Sequence, residues 1–294
     1  MNKDITVVLT LYKRPYNLRK QLEYIKRQTI KPAEILLFKD KPNDGSNIEI
    51  PQDIISEFDN IEIAEQNIGV WGRFKYAQSA KSEYVCIFDD DTFPGSKWLE
   101  NCLTQMKIKE GLYGTNGVIM KVPEDYPKVA SYQNIGWFTS NEQSQQVDFV
   151  GHSWFLKKSW LAFMFNDTQD IQALKYAGED ITLSFKLQEQ GINTYVPPHP
   201  YNDKRYWGAI PELSKETSID ANALSGVNAN LNKYNQGMLL VLSKGFKPLI
   251  TKQPERIAKL TYQILLIKRL TWFIHFISLK DSIRRYLFYK FMNI

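Results

Sequence analysis

Tyr84-Val85-Cys86-Ile87-Phe88-Asp89-Asp90-Asp91 is an apolar run that stops on three consecutive carboxylates. A β-favouring segment bounded by charge predicts a buried strand over residues 84–88. In extended backbone, alternate side chains point the same way, so Asp89 and Asp91 share one side and Asp90 faces the other. Open α/β sheets bind ligands outside the carboxyl ends of their strands, which puts this cluster at a ligand crevice. Hard oxygen donors there suit Mg²⁺ or Mn²⁺ carrying a phosphorylated substrate. Read alone, the three acids equally fit a solvated turn capping a helix that starts near Pro94.

Working outward, residues 5–11 read as a β-branched strand, and Pro15 opens a helix to about Gln28 with Leu18, Leu22 and Ile25 on one face. Residues 33–38 form a second strand, 41–45 a turn, 61–64 a short third strand and 73–80 a helix. This alternation predicts an α/β fold with a mixed, mostly parallel sheet flanked by helices. Further on, 97–107 and 179–190 read as helices, and 112–121, 147–156 and 194–196 as strands. Residues 123–146 read as irregular and polar, with an embedded strand as the alternative, and 214–236, rich in Ser and Asn, as loop or mobile segment.

The chain has 294 residues, 43% hydrophobic and 13% aromatic, enough for one large core or two small ones. Cys86 and Cys102 fall in a strand and a helix without metal or redox spacing, so both read as buried small hydrophobes. The N-terminus enters a strand at once, so no export signal is expected and a cytoplasmic setting is the default. Residues 245–294 hold ten Lys and Arg against Glu255 and Asp281, a formal +8 within a chain of +5; the body is therefore −3. From Pro254 apolar residues alternate with cations at helical spacing, and Lys268-Arg269 interrupts the run below the ~20 residues that span a bilayer. That tail reads as a basic amphipathic helix lying on an anionic membrane surface, or as helices packed on the catalytic domain or a dimer partner. No recognisable nucleic-acid module accompanies the charge, so no nucleic acid is expected as partner.

Several short segments occur in a telling order: Thr10-Leu11-Tyr12, Phe38-Lys39-Asp40, Asn67-Ile68-Gly69 running to Arg73, the three acids at 89–91, Val150-Gly151-His152-Ser153-Trp154-Phe155, Gly178-Glu179-Asp180-Ile181, and Pro197-Pro198-His199-Pro200. Together they resemble glycosyltransferases of the GT-A fold, mainly family 2, over residues 5 to about 200. The later segments are also similar to the C-terminal catalytic domain of exostosins.

The resemblance implies nucleotide contacts from Thr10, Tyr12, Asp40 and Arg73, with Asp89 or Asp90 on the ribose. Lys39 stands where the family usually has an acid. It implies Asp91 as a metal ligand, with His199 on the metal or the diphosphate. Gly151, His152 and Trp154 would form a sugar or acceptor loop, although Trp154 and Phe155 also read as core strand residues. Asp180 would be the base that deprotonates the acceptor hydroxyl, and Glu179 would shape the acceptor side; acids there also suit the start of a helix. Family 2 implies inversion, exostosins retention. Position and composition make residues 201–207, with Trp207, a candidate lid over diphosphate and sugar.

The expected protein is a hexosyl- or N-acetylhexosaminyl-transferase dependent on Mn²⁺ or Mg²⁺. It would use a UDP-sugar and a glycan or lipid-linked acceptor at the cytoplasmic membrane face. Residues 1–244 would be the catalytic domain, with a nucleotide-binding half to about 95, a sugar and acceptor half over 96–210, and a loop-rich segment over 211–244. The tail would follow from 245. The rival readings are a sugar nucleotidyltransferase, which lacks a glycine-rich phosphate loop here, and a non-catalytic scaffold.

Overall fold

The computed structural model describes residues 4–137, 139–213 and 228–270, together with 283, 286 and 287. Its strands are β1 (Ile5–Leu11), β2 (Glu34–Lys39), β3 (Asn60–Ile63), β4 (Tyr84–Phe88), β5 (Gly111–Met120), β6 (Tyr132–Ile135), β7 (Gln145–Val147), β8 (Phe149–Lys157) and β9 (Asn193–Val196). Among the described residues they make one nine-stranded sheet in the order β3-β2-β1-β4-β8-β5-β9-β7, with β6 beside β5. The pairs β1/β2, β1/β4 and β2/β3 are parallel, and β8 runs antiparallel to β4 and β5.

The first half follows from local chemistry. All seven residues of β1 are buried, as expected of a strand covered on both faces. The helix Pro15–Lys26 takes Pro at its first turn and buries Leu18, Leu22 and Ile25 against the sheet. The chain steps outward from β1 to β3, then returns to lay β4 on the other side of β1. That reversal opens a crevice at the carboxyl ends of β1 and β4, the usual ligand position in such sheets. Thr10 Oγ1 donates to the Phe88 carbonyl at 2.9 Å and ties the two strand ends together.

The expected strand over 147–156 is two strands broken at Asp148. The buried Asp148 carboxylate accepts the Met120 and Leu249 amides, each at 2.6 Å. A side chain turned inward to serve two backbone donors separates β7, which pairs with β9, from β8, which pairs with β4 and β5. The irregular stretch 123–146 contains β6 and β7.

Residues 228–236, read as loop, belong to the helix Asn228–Ser243. Asn has low intrinsic helix preference, but tertiary packing overrides it. Met238 and Val241 are buried in the main core, and Asn235 Nδ2 donates to the Glu124 and Tyr126 carbonyls. The loop reading of 214–227 and the tail reading beyond 270, apart from 283, 286 and 287, lie outside the described residues.

The tail begins inside the body. Leu249 and Ile257 join the same buried cluster as the sheet. The helix Pro254–Leu270 buries Ile257, Ile264 and Ile267 and exposes Lys259, Tyr262, Leu265 and Arg269 along its outer face. No helix among the described residues is long and apolar enough to cross a membrane.

Candidate active site

A cavity of about 560 Å³ opens at the carboxyl ends of β1 and β4, within the size range of ligand sites. Thr10, Tyr12, Asp40, Arg73, the acids at 89–91, Gly151, His152, Glu179 and Asp180 all line it. The tertiary fold thus gathers the motifs that lie scattered along the sequence.

The turn after β4 separates the three acids as the alternation predicts. Asp89 and Asp91 gather with His152 in a group whose ligating atoms lie within 4.8 Å of one another. Asp90 points elsewhere and accepts from Arg14 Nη1 at 2.6 Å. His152 reaches the acids because β8 pairs antiparallel with β4 and the Asp89 amide donates to the His152 carbonyl at 3.0 Å. Its Nδ1 lies 3.6 Å from Asp91 Oδ1 and 3.9 Å from Asp89 Oδ2. That buried nitrogen has no hydrogen-bond partner. His152 has φ +66°, a left-handed conformation that costs energy for a residue with a Cβ. Two carboxylates and an imidazole nitrogen make a donor set that fits a divalent cation.

Arg73 is the strut of the site. Nη1 lies 2.8 Å from Asp89 Oδ1 and Nη2 3.1 Å from Glu179 Oε1. The guanidinium rests on the Trp154 ring, 4.6 Å from its centroid. One buried cation therefore links the acids after β4 to the start of the helix Glu179–Glu189.

Asp180 sits at that helix start with Oδ1 buried and unpartnered. Burial, reinforced by the neighbouring Glu179 charge, pushes its carboxyl well above the ordinary range. Burial likewise raises Asp90 and Glu179 against the pull of Arg14 and Arg73 respectively. For Asp91 burial is outweighed by His152 and Arg14, which hold it below the ordinary value. Gly151 lies directly against Asp180: a Cβ there would stand 3.3 Å from Asp180 Oδ2.

The opposite wall is built on Asp40. Its two oxygens accept from the amides of Lys41, Ile68 and Gly69 and from Asn67 Nδ2, at 2.9–3.0 Å. Gly69 has φ +76°, and a Cβ there would fall 2.1 Å from the Lys175 carbonyl, so this turn requires glycine. Tyr12 donates to Asn43 Oδ1 at 2.8 Å.

The sequence pattern of glycosyl transferase family 2 matches residues 6–163, just over half of the chain. This chain belongs to glycosyl transferase family 2. No curated protein matches it. The solved structure of S. aureus TarS is similar at 14% identity with a TM-score of 0.47, covering 97% of this chain and 52% of that one. The chain spans about half the length of TarS.

Within this family member, three expected contacts are placed elsewhere. His199 is fully buried away from the acids: Nδ1 pairs with the Pro197 carbonyl at 2.9 Å and Nε2 accepts the Gly208 amide at 3.1 Å. Burial lowers its pKa to about 4, so it is neutral and structural, and the histidine beside the acids is His152. Trp207 is also fully buried, donating to the Pro200 carbonyl and packed on His199. Residues 201–207 are pinned to 95–101 through Gly95, Lys97 and Asn101, and they do not line the cavity. They therefore form no lid in this structure. Trp154 is a core residue beneath Arg73, with Nε1 bonded to the Val150 carbonyl, and touches no cavity surface.

Sequence reasoning missed Arg14, Asn17 and Gln21, which lie on the first helix or just before it. Arg14 pairs with Asp90, while Asn17 and Gln21 donate to the carbonyls of Asp90 and Asp89. Their 3–4-residue spacing on one helix face is a signal that could have found them. It also missed Trp137, stacked on His152, and the cavity residues Asn116, Tyr126, Tyr132 and Tyr234, for which no local pattern exists.

Proposed function

We propose that this glycosyltransferase moves a sugar from a nucleotide-sugar, most simply a UDP-sugar, to an acceptor hydroxyl with inversion, using a divalent cation held by Asp89, Asp91 and His152. The observation that carries the reading is a cavity lined both by this donor set and by Asp180, whose buried Oδ1 is unpartnered.

Asp89, Asp91 and His152 would hold the ion. When bound, it supplies a Lewis acid that neutralises charge developing on the departing diphosphate. Thr10, Tyr12 and Asp40 line the end that would take the nucleoside. Asp180 accepts the proton of the acceptor hydroxyl as that oxygen attacks the anomeric carbon and the sugar–phosphate bond breaks. A positioned base of this kind contributes about 10²–10⁴-fold. Arg73, clamped between Asp89 and Glu179, holds the cation side and the base side at a constant separation. Asn116 stands at a bulge in the β5–β8 ladder with Oδ1 unpartnered, a position suited to a sugar hydroxyl.

The outer face of the helix Pro254–Leu270, with Lys259, Tyr262, Leu265 and Arg269 exposed, supports a peripheral association with anionic lipid. Flotation with anionic liposomes tests that part, and protein left unbound removes it.

Calorimetry of UDP binding with and without Mn²⁺, on wild type and Asp91→Ala, tests the donor site. Binding that requires Mn²⁺ and disappears in Asp91→Ala is the expected result. Binding of another nucleoside diphosphate instead removes the UDP assignment, and no nucleotide binding removes the transferase reading.

A further inference from the structure

The cavity has two halves of opposite chemistry. One carries the acids at 89–91, Arg14, Arg73, Asp40 and Gly69; the other is walled by Tyr126, Tyr132, Phe149 and Tyr234, with the exposed Val129 and Leu231 also lining it. The Tyr126 ring meets Tyr132 and Phe149 edge-on at centroid distances of 5.4 and 5.7 Å. Tyr234 faces them from the helix Asn228–Ser243, and the Asn235 side chain bonds that helix to the Glu124 and Tyr126 carbonyls. The two walls are therefore held at a set spacing. Asp180 Oδ1, buried and without a partner, belongs to the same cavity, and the Asp180 charge acts on both Tyr126 and Tyr234.

We infer that the aromatic half is the acceptor subsite and that it takes an amphiphilic acceptor, in which the attacking hydroxyl sits on a sugar or polyol carrying an aliphatic chain. This rests on the transferase reading above. Aromatic walls alone would suit the apolar face of any sugar ring. The rim decides the class. Val129, in the loop before β6, is 84% exposed and Leu231, on the helix Asn228–Ser243, 36%, and both line this cavity where it meets solvent. Single exposed aliphatics are common on any surface, but two converging at a mouth continuous with an apolar wall make a path for a chain leaving the site. The aromatic chamber holds the head group with its hydroxyl toward Asp180, and the chain passes out between Val129 and Leu231.

The test measures binding of n-octyl β-D-glucopyranoside and methyl β-D-glucopyranoside by calorimetry, both below the micellar concentration of the octyl compound, with Mn²⁺ and UDP present. Wild type, Val129→Asp, Leu231→Asp and the double variant are compared, with UDP affinity measured on each. The octyl glucoside is expected to bind at least about tenfold tighter than the methyl one, a preference that burial of only two or three methylene groups supplies. The variants should lose most of that preference and keep UDP affinity. Equal affinities, no binding of either glucoside, or a preference that survives in the double variant (an adventitious additive only) each overturns the subsite while UDP binding leaves the transferase reading intact. Wild type that binds none of UDP, GDP, ADP and dTDP overturns the reading underneath and this inference with it.

Discussion

The imidazole of His152 lies flat on the indole of Trp137, with ring centroids 3.6 Å apart and planes 19° from parallel. The stack fixes the ring of a residue whose backbone is already in the left-handed region, and it leaves Nδ1 facing Asp89 and Asp91. A donor nitrogen held this way loses little freedom on taking a ligand.

His152→Ala is therefore expected to weaken Mn²⁺ binding by about 10–100-fold, and Trp137→Leu by about tenfold through loss of ring orientation. Electron paramagnetic resonance titration of free Mn²⁺ reads both without any activity assay. Unchanged Mn²⁺ affinity in His152→Ala would remove this residue from the donor set.

His199→Ala should behave oppositely. It leaves Mn²⁺ affinity unchanged and costs about 1–3 kcal/mol of stability, because the Gly208 amide loses its acceptor inside the core. The folded pKa of about 4 lies below the ordinary 6.5, so the unfolded chain binds a proton first as pH falls. This histidine's share of stability is thus complete above pH 6.5 and is lost as pH drops toward 4. Denaturant titrations of wild type and variant across that window check the slope.

Asp180→Asn should lower turnover about 10²–10⁴-fold and leave UDP affinity unchanged. Burial and Glu179 raise the Asp180 carboxyl, and only its ionised form accepts a proton. The rate should therefore climb with pH through a limb above the ordinary carboxylate range. A pH–rate profile already flat from pH 5 upward would contradict the assignment.

Asp148→Asn should cost about 1–3 kcal/mol, since an amide offers one oxygen where Met120 and Leu249 present two backbone donors. Burial raises this carboxyl from 3.8 to about 6, against the pull of those two amides. The folded chain then binds the proton more tightly than the unfolded one, so this group's effect on stability becomes less favourable as pH rises from about 4 to 6. The Asn variant should lack that component of the pH slope, as thermal unfolding at several pH values would read.

Much of the first half of the chain was legible because its signals are local. The strands over 5–11 and 84–88 show as apolar runs ended by polar residues, and they occupy those bounds in the structure. The grouping of Asp89 with Asp91 apart from Asp90 matches the alternation read from the sequence, although a turn after β4 produces it. The second half resisted because its decisive contacts are long-range. Asp148 divides one expected strand by bonding to residue 249, and Asn235 anchors an Asn-rich helix through residues 124 and 126.

Histidine choice shows the same division. Pro-Pro-His-Pro looks like a rigid mount for a ligating imidazole, and the segment is held rigid, but a bridge to Asn141 and the packing of Trp98 and Trp207 turn His199 into the core. Composition cannot show which way a held ring faces.

The sequence by itself determined the order of the strands and helices in the first half, the carboxylates at the end of β4 and the acid pair opening the helix at 179, since these depend on short-range periodicity and adjacent residues. Only the tertiary structure decided that His152 stands beside those acids, that Arg73 is shared between Asp89 and Glu179, and that a helix from beyond residue 228 supplies part of the cavity wall. Those relationships come from antiparallel pairing, burial and packing between segments far apart in the chain, where no local pattern carries the information.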